Sequence, residues 1–182
     1  MGFSAWLLPA INAGAASLLL NSGIAKTISP GPPLRALAEV SPALEKYLGK
    51  VALRGVGVAE IAVAAALLLA PLRLPAAIAA LALGAGFALL GLLGIVRGSK
   101  APCGCFGASS RRPLGWANVL LGIVVACAGP ANIVGTATAR YSEIALIAAA
   151  IGAVALCVYM RRELIVQFLW PRRTLPAESE AH

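Results

Sequence analysis

Two thiols stand one glycine apart in Pro102-Cys103-Gly104-Cys105-Phe106-Gly107. Cysteines two positions apart have Cα atoms within about 7 Å of each other, in or near disulfide reach. Gly104 and Gly107 accept backbone angles that other residues resist. A ring this tight is expected to be strained and easier to reduce than a structural disulfide. Arg97, Lys100, Arg111 and Arg112 flank the pair, and positive charge favours the thiolate, which is the reactive form. The spacing points to thiol–disulfide redox chemistry, with two ordinary loop cysteines as the alternative. A Cys-x-Cys pair can also hold a soft ion such as Cu(I). No further ligand lies nearby, and the single histidine, His182, is in the polar tail, so the expectation is no metal.

Glu60 is the next outlier, an ionisable residue about 7 residues and about 10 Å into an apolar helix. At that depth a carboxyl faces the interior of a bundle, protonated or paired. Lys26, at the end of the preceding apolar segment, is its natural partner, because a lysine stem reaches along a helix. The pair either fixes two helices together or serves as a proton-transfer group for thiol or quinone chemistry. Asn118 is a third polar candidate, with an interhelical hydrogen bond as its simpler role. Cys127 and Cys157 fall inside helices, where packing is the default. Cys157 is also a candidate resolving thiol, since it falls at the same end as the Cys-Gly-Cys loop. No cofactor is expected, with a quinone as the alternative; no nucleotide loop, cofactor fold or hydrolytic triad occurs in the chain.

The elements that must position these groups are membrane helices. Of 182 residues, 60% are hydrophobic and 12% charged, against about 25% charged in a soluble domain. Residues 1–25, 74–96, 113–139 and 144–160 contain no Lys, Arg, Asp or Glu, and only Glu60 interrupts 55–72. A membrane span needs about 20 apolar residues, which predicts five helices: Ala5–Ile24, Leu53–Pro71, Pro75–Val96, Trp116–Ile133 and Ile144–Met160. The first lacks the basic start of a cleaved signal and is followed by a lysine, so it reads as a span. Residues 1–170 form the expected bundle in the lipid bilayer, and 171–182 a disordered cytoplasmic tail.

The net charge of +8 lies between and beside the spans, so it marks topology rather than nucleic-acid binding. With the N-terminus outside, thirteen of the fifteen Lys and Arg residues fall on inner segments, and only Arg73 and Arg140 on outer ones. This places the Cys-Gly-Cys loop and the C-terminus on the cytoplasmic side, and no cysteine at the outer face. In residues 25–52, Leu34, Leu37 and Ala38, then Leu44, Tyr47 and Leu48, recur at helical spacing. They fit either short interfacial amphipathic helices or an ordinary solvated loop. Ala80, Gly84, Ala88 and Gly91 form a stripe of small residues that lets helix backbones approach closely in lipid.

Ala25-Lys26, Glu60 with Leu67-Leu68-Leu69, Cys103-Gly104-Cys105-Phe106-Gly107 and Asn118 together resemble the methylamine utilisation protein MauE family, within the wider DoxX-like membrane proteins. The likeness covers roughly residues 10–130. Ala117 stands where that pattern has an arginine, and the fifth helix extends a pattern of four. The resemblance implies an all-α polytopic bundle with a four-helix DoxX-like core in a bacterial cytoplasmic membrane. It also implies a thioredoxin-like partner and a role in maturing a periplasmic, disulfide-rich enzyme subunit, that of methylamine dehydrogenase. On this reading Cys103 and Cys105 cycle between dithiol and disulfide, Gly104, Phe106 and Gly107 shape their loop, and Glu60 and Lys26 balance protons. A non-enzymatic scaffold for such a partner or client is the alternative, and a small-molecule carrier built around Glu60 is a third class.

Overall fold

A computed structural model describes residues 4–103, 113–135, 147–148, 150–159 and 162. Helix α1 spans Ser4–Ile28 and stops before Pro30-Gly31-Pro32-Pro33. Helix α2, Gly31–Val40, takes two of those prolines in its first turn, where a missing N–H costs nothing. It ends because Ser41, which precedes Pro42, is extended, as a residue before proline prefers. Helix α3 is the short Pro42–Tyr47. Helix α4, Lys50–Leu68, connects through a single 3₁₀ turn at Ala70–Leu72 to α5, Arg73–Val96. Helix α6 is Trp116–Gly135, and α7 is the apolar Ala150–Tyr159.

The amphipathic alternative is observed over α2, whereas in α3 Tyr47 is exposed. Helix α2 buries Pro33, Ala36, Leu37 and Val40, the i, i+3, i+4, i+7 pattern of one helix face. Four helices, Leu7–Ile28 within α1, α4, α5 and α6, are long and apolar enough to cross a membrane, and no strand occurs among the described residues. The chain is an all-α, multi-pass membrane bundle. Of the expected fifth span the structure describes α7, with about 15 Å of rise against the roughly 30 Å of a hydrocarbon core. The tail expected over 171–182 lies outside the described residues.

The four spans pair as α1 with α4 and α5 with α6, with lesser contact between α4 and α5 and between α1 and α6. Small residues make both close crossings. A Cβ on Gly23 would sit 2.6 Å from the Gly57 carbonyl oxygen, and one on Gly84 would sit 2.5 Å from the Gly122 carbonyl oxygen. The interior is rich in alanine, including Ala15, Ala16, Ala64, Ala76, Ala77, Ala80 and Ala128. Large apolar side chains such as Val58, Ile78, Leu89, Leu120 and Ile123 point outward. That arrangement suits lipid, where packing rather than water exclusion holds helices together. Ala153 on α7 is buried in the same core.

Candidate functional site

The Gly23–Gly57 crossing also sets the ionic pair. Three residues beyond each glycine, on the same faces, come Lys26 and Glu60. Lys26 Nζ lies 2.6 Å from Glu60 Oε1, and the two side chains are 6% and 0% exposed. Helix α4 begins at Lys50, so Glu60 is ten residues in, about 15 Å, deeper than its spacing from Leu53 suggested. Lys26 also donates to Ser22 Oγ at 2.5 Å and lies 4.7 Å from the centre of the Phe87 ring. Glu60 Oε2 is buried without a hydrogen-bond partner.

The cysteine loop is anchored from its base. Gly98, at φ +61, ends α5 in the left-handed conformation that glycine accepts. There Gly98 N–H donates to the Ile95 carbonyl and Ser99 N–H to the Gly94 carbonyl, at 3.1 and 2.9 Å, a Schellman cap. This turn brings the chain under α2. Glu39 accepts from the Ser99 hydroxyl at 2.7 Å, from Lys100 N–H at 3.2 Å and from Ala101 N–H at 2.7 Å. Arg97 donates to the Val40 carbonyl. The Ser99 hydroxyl, then the Ala101 and Lys100 N–H groups, hold the Glu39 carboxyl below its ordinary value, because they stabilise the charged form. Pro102 and Pro113 pair in an isolated antiparallel bridge. Between the two anchors Cys103 is buried with Val40 and Leu114.

Cys103 is disulfide-bonded, whereas Cys127 is a free thiol. Its sulfur lies 3.4 Å from Asn118 Nδ2, which donates to it from the first turn of α6. Cys105, Gly104, Phe106 and Gly107 lie outside the described residues. Cys127 is exposed on the outer face of α6 rather than packed inside. Cys157 is buried on α7 and does not line the cavity described next.

Lys26, Glu60, Cys103 and Asn118 all line one cavity of about 420 Å³. It occupies the seam between α4 and α5 beneath α2, with Leu37, Val56, Leu83 and Phe87 among its apolar walls. The structure thus gathers four of the residues singled out by type and spacing into one site. Glu39, Ser22 and the Gly23–Gly57 crossing were not anticipated. The crossing had a sequence signal, a glycine three residues before each ionic partner. Glu39 had none, since one carboxylate on an amphipathic helix reads as a solvated face.

The sequence profile of the family described as methylamine utilisation protein MauE matches residues 4–138. The methylamine utilization protein MauE of Paracoccus denitrificans is 33% identical over 111 residues, which cover 59% of this chain and 60% of that protein. The chain thus spans about three fifths of the length of this curated relative. No solved structure matched. The profile takes in every helix from α1 to α6 and the whole of the cavity wall, and on that match the chain belongs to the methylamine utilisation protein MauE family.

Proposed function

We propose that this protein is a membrane thiol–disulfide component, in which Cys103 and Cys105 alternate between disulfide and dithiol in exchange with a thioredoxin-like partner. The observation that carries this reading is the single cavity that holds the disulfide-bonded Cys103, Asn118 and the Lys26–Glu60 pair. In exchange, a partner thiolate attacks the disulfide, and a cysteine of the pair leaves as thiolate. The Asn118 amide donates to the Cys103 sulfur and stabilises charge that builds there. Glu60 Oε2, buried and unpaired, takes the proton that each attacking partner thiol loses and passes it to the leaving thiolate, while Lys26 keeps the carboxyl compensated in lipid. A second thiolate of the partner then releases the mixed disulfide, so two electrons and two protons enter the pair.

The client on this reading is a periplasmic or secreted disulfide-containing protein, with a methylamine dehydrogenase subunit as the family's example. The location is a bacterial cytoplasmic membrane. Connections α1–α4 and α5–α6 share one face, whether or not α7 crosses. The basic residues from Lys26 to Arg54 and from Arg97 to Arg112 assign that face to the cytoplasm by the positive-inside rule. The protein then draws on cytoplasmic thiols and stands one step away from its client.

One experiment tests both parts. A membrane-impermeant thiol reagent is applied to intact and to opened cells, with and without prior reduction. The expected result is labelling of Cys103 and Cys105 only after reduction and only in opened cells. Labelling in intact cells moves the loop to the periplasmic face. Labelling without reduction, together with normal function of a Cys103→Ser, Cys105→Ser variant, leaves the scaffold reading in place of the redox one.

A further inference from the structure

Of two cavities of similar volume among the described residues, one has chemistry in its wall. The groove of about 430 Å³ lined by Leu7, Leu8, Ile11, Pro130, Val134 and neighbours presents no polar side chain. The cavity of about 420 Å³ beneath α2 is equally apolar along its length, but it ends on Lys26, Glu60, Asn118 and Cys103. Its α5 wall runs from Ala82 to Leu93, about 16 Å along the helix. Ala82, Leu89 and Leu93 in that wall are also exposed on the outside of the span. The mouth therefore opens sideways into hydrocarbon, and the occupant must arrive dissolved in lipid.

The polar end selects among lipid-soluble molecules. Lys26 and Glu60 compensate each other at 2.6 Å, so an anionic head group would meet a carboxylate, and a neutral one fits. An ammonium has three N–H donors, and Lys26 commits two of them, to Ser22 and Glu60. An amide has two, and Asn118 commits one, to the Cys103 sulfur. One N–H of Asn118 remains, and the third of Lys26 has the face of the Phe87 ring 4.7 Å away, on separate helices within an otherwise apolar wall. An acyl chain has nothing to accept them. A ring with two carbonyl oxygens does.

We propose that this cavity binds the head group of a lipid-soluble quinone, with its tail leaving through the α5 mouth, and that the quinone is the oxidant of the Cys103–Cys105 dithiol. The inference rests on the redox reading above. In the step, two S–H bonds break and one S–S bond forms. Two electrons and two protons pass to the quinone, whose carbonyl oxygens become the two hydroxyls of a quinol, with Glu60 and Lys26 beside the proton path. A quinol diffuses in the bilayer, so electrons leave the site without a ladder of thiols across it.

The test uses the full-length protein in nanodiscs, reduced and freed of reductant, then mixed with decylubiquinone or with a soluble disulfide, oxidised glutathione. Free thiols at Cys103 and Cys105 and quinol formation are followed together. A Cβ on Gly86 has open space around it, so Gly86→Phe fills the cavity without striking backbone, and Ala82→Trp narrows the mouth. The expected result is stoichiometric quinol and disulfide, with the quinone rate in both variants lowered about tenfold or more relative to the glutathione rate. Oxidation by glutathione but not by decylubiquinone overturns the quinone inference and leaves the thiol reading standing. No fall of the quinone rate relative to the glutathione rate in either variant shows that the cavity is not the site. Failure of both oxidants removes the thiol reading and the quinone with it.

Discussion

Asn12 and Lys26 sit on the same helix, about 21 Å apart along its axis, each buried against a polar partner on another helix. Asn12 meets Asn132 on α6, and the two amides exchange hydrogen bonds at 3.0 and 2.7 Å. Asn132 further donates to the Ala128 carbonyl of its own helix. That pair is neutral and reciprocal, and each amide oxygen has its donor. Lys26 meets Glu60, and their pair is charged, leaves Glu60 Oε2 unsatisfied, and faces a cavity that also holds a disulfide-bonded cysteine. A polar contact that only joins helices can be completed within itself. One that keeps donors and an acceptor in reserve, at a cost in lipid, is built for something that comes and goes.

The contrast breaks most visibly at Glu60. Glu60→Ala strands the Lys26 ammonium and should cost about 3–5 kcal/mol, read as a fall in thermal unfolding temperature in detergent. The paired replacement Lys26→Met with Glu60→Leu should restore most of that stability. It should nevertheless slow dithiol oxidation by about a hundredfold if the pair moves protons; an unchanged rate would make the ionic pair as purely structural as the amide pair. Gly23→Val drives a side chain into the Gly57 carbonyl and should cost about 1–3 kcal/mol, with the redox rate falling as Lys26 and Glu60 are forced apart. Asn12→Ala should cost about 1 kcal/mol and leave dithiol oxidation untouched, which would be measured on the same preparation.

The smallest effect is expected at Glu39. Its folded-state value lies below the unfolded one, so the link from α2 to the loop adds stability above the ordinary carboxylate range. That contribution is lost as pH falls through the folded-state value. Hydrogen exchange at the Lys100 and Ala101 amides should speed up on acidification, and Glu39→Gln should remove most of that pH dependence.

Spans α1, α4, α5 and α6 were legible because charge-free runs of bilayer length are rare outside membranes. Their ends were less so. Ile24 read as the end of the first span, yet α1 continues through Lys26 and Thr27 to Ile28. Glu60 compensates the lysine, and the Thr27 hydroxyl donates to the Gly23 carbonyl at 2.5 Å. Glu60, Lys26 and Asn118 announced themselves as polar outliers in apolar sequence. Their convergence on Cys103 did not, because the α4–α5 seam is made by contacts between residues far apart in the chain. Glu39 escaped for the opposite reason: it is one charge among many on a connecting segment, and only the path of the Gly98 turn gives it a task.

The single turn at Ala70–Leu72 has a consequence for how the chain reaches its membrane. Every long polar connector within the four spans lies on one face, and on the other only this turn separates α4 from α5, with Arg73 as its neighbouring charge. Whichever face retains the connectors, these two spans must be inserted together as a helical hairpin. Delivery across the bilayer then requires moving one guanidinium, at about 2.5–3.5 kcal/mol on insertion scales, which the hydrophobic length of two adjoining helices readily offsets.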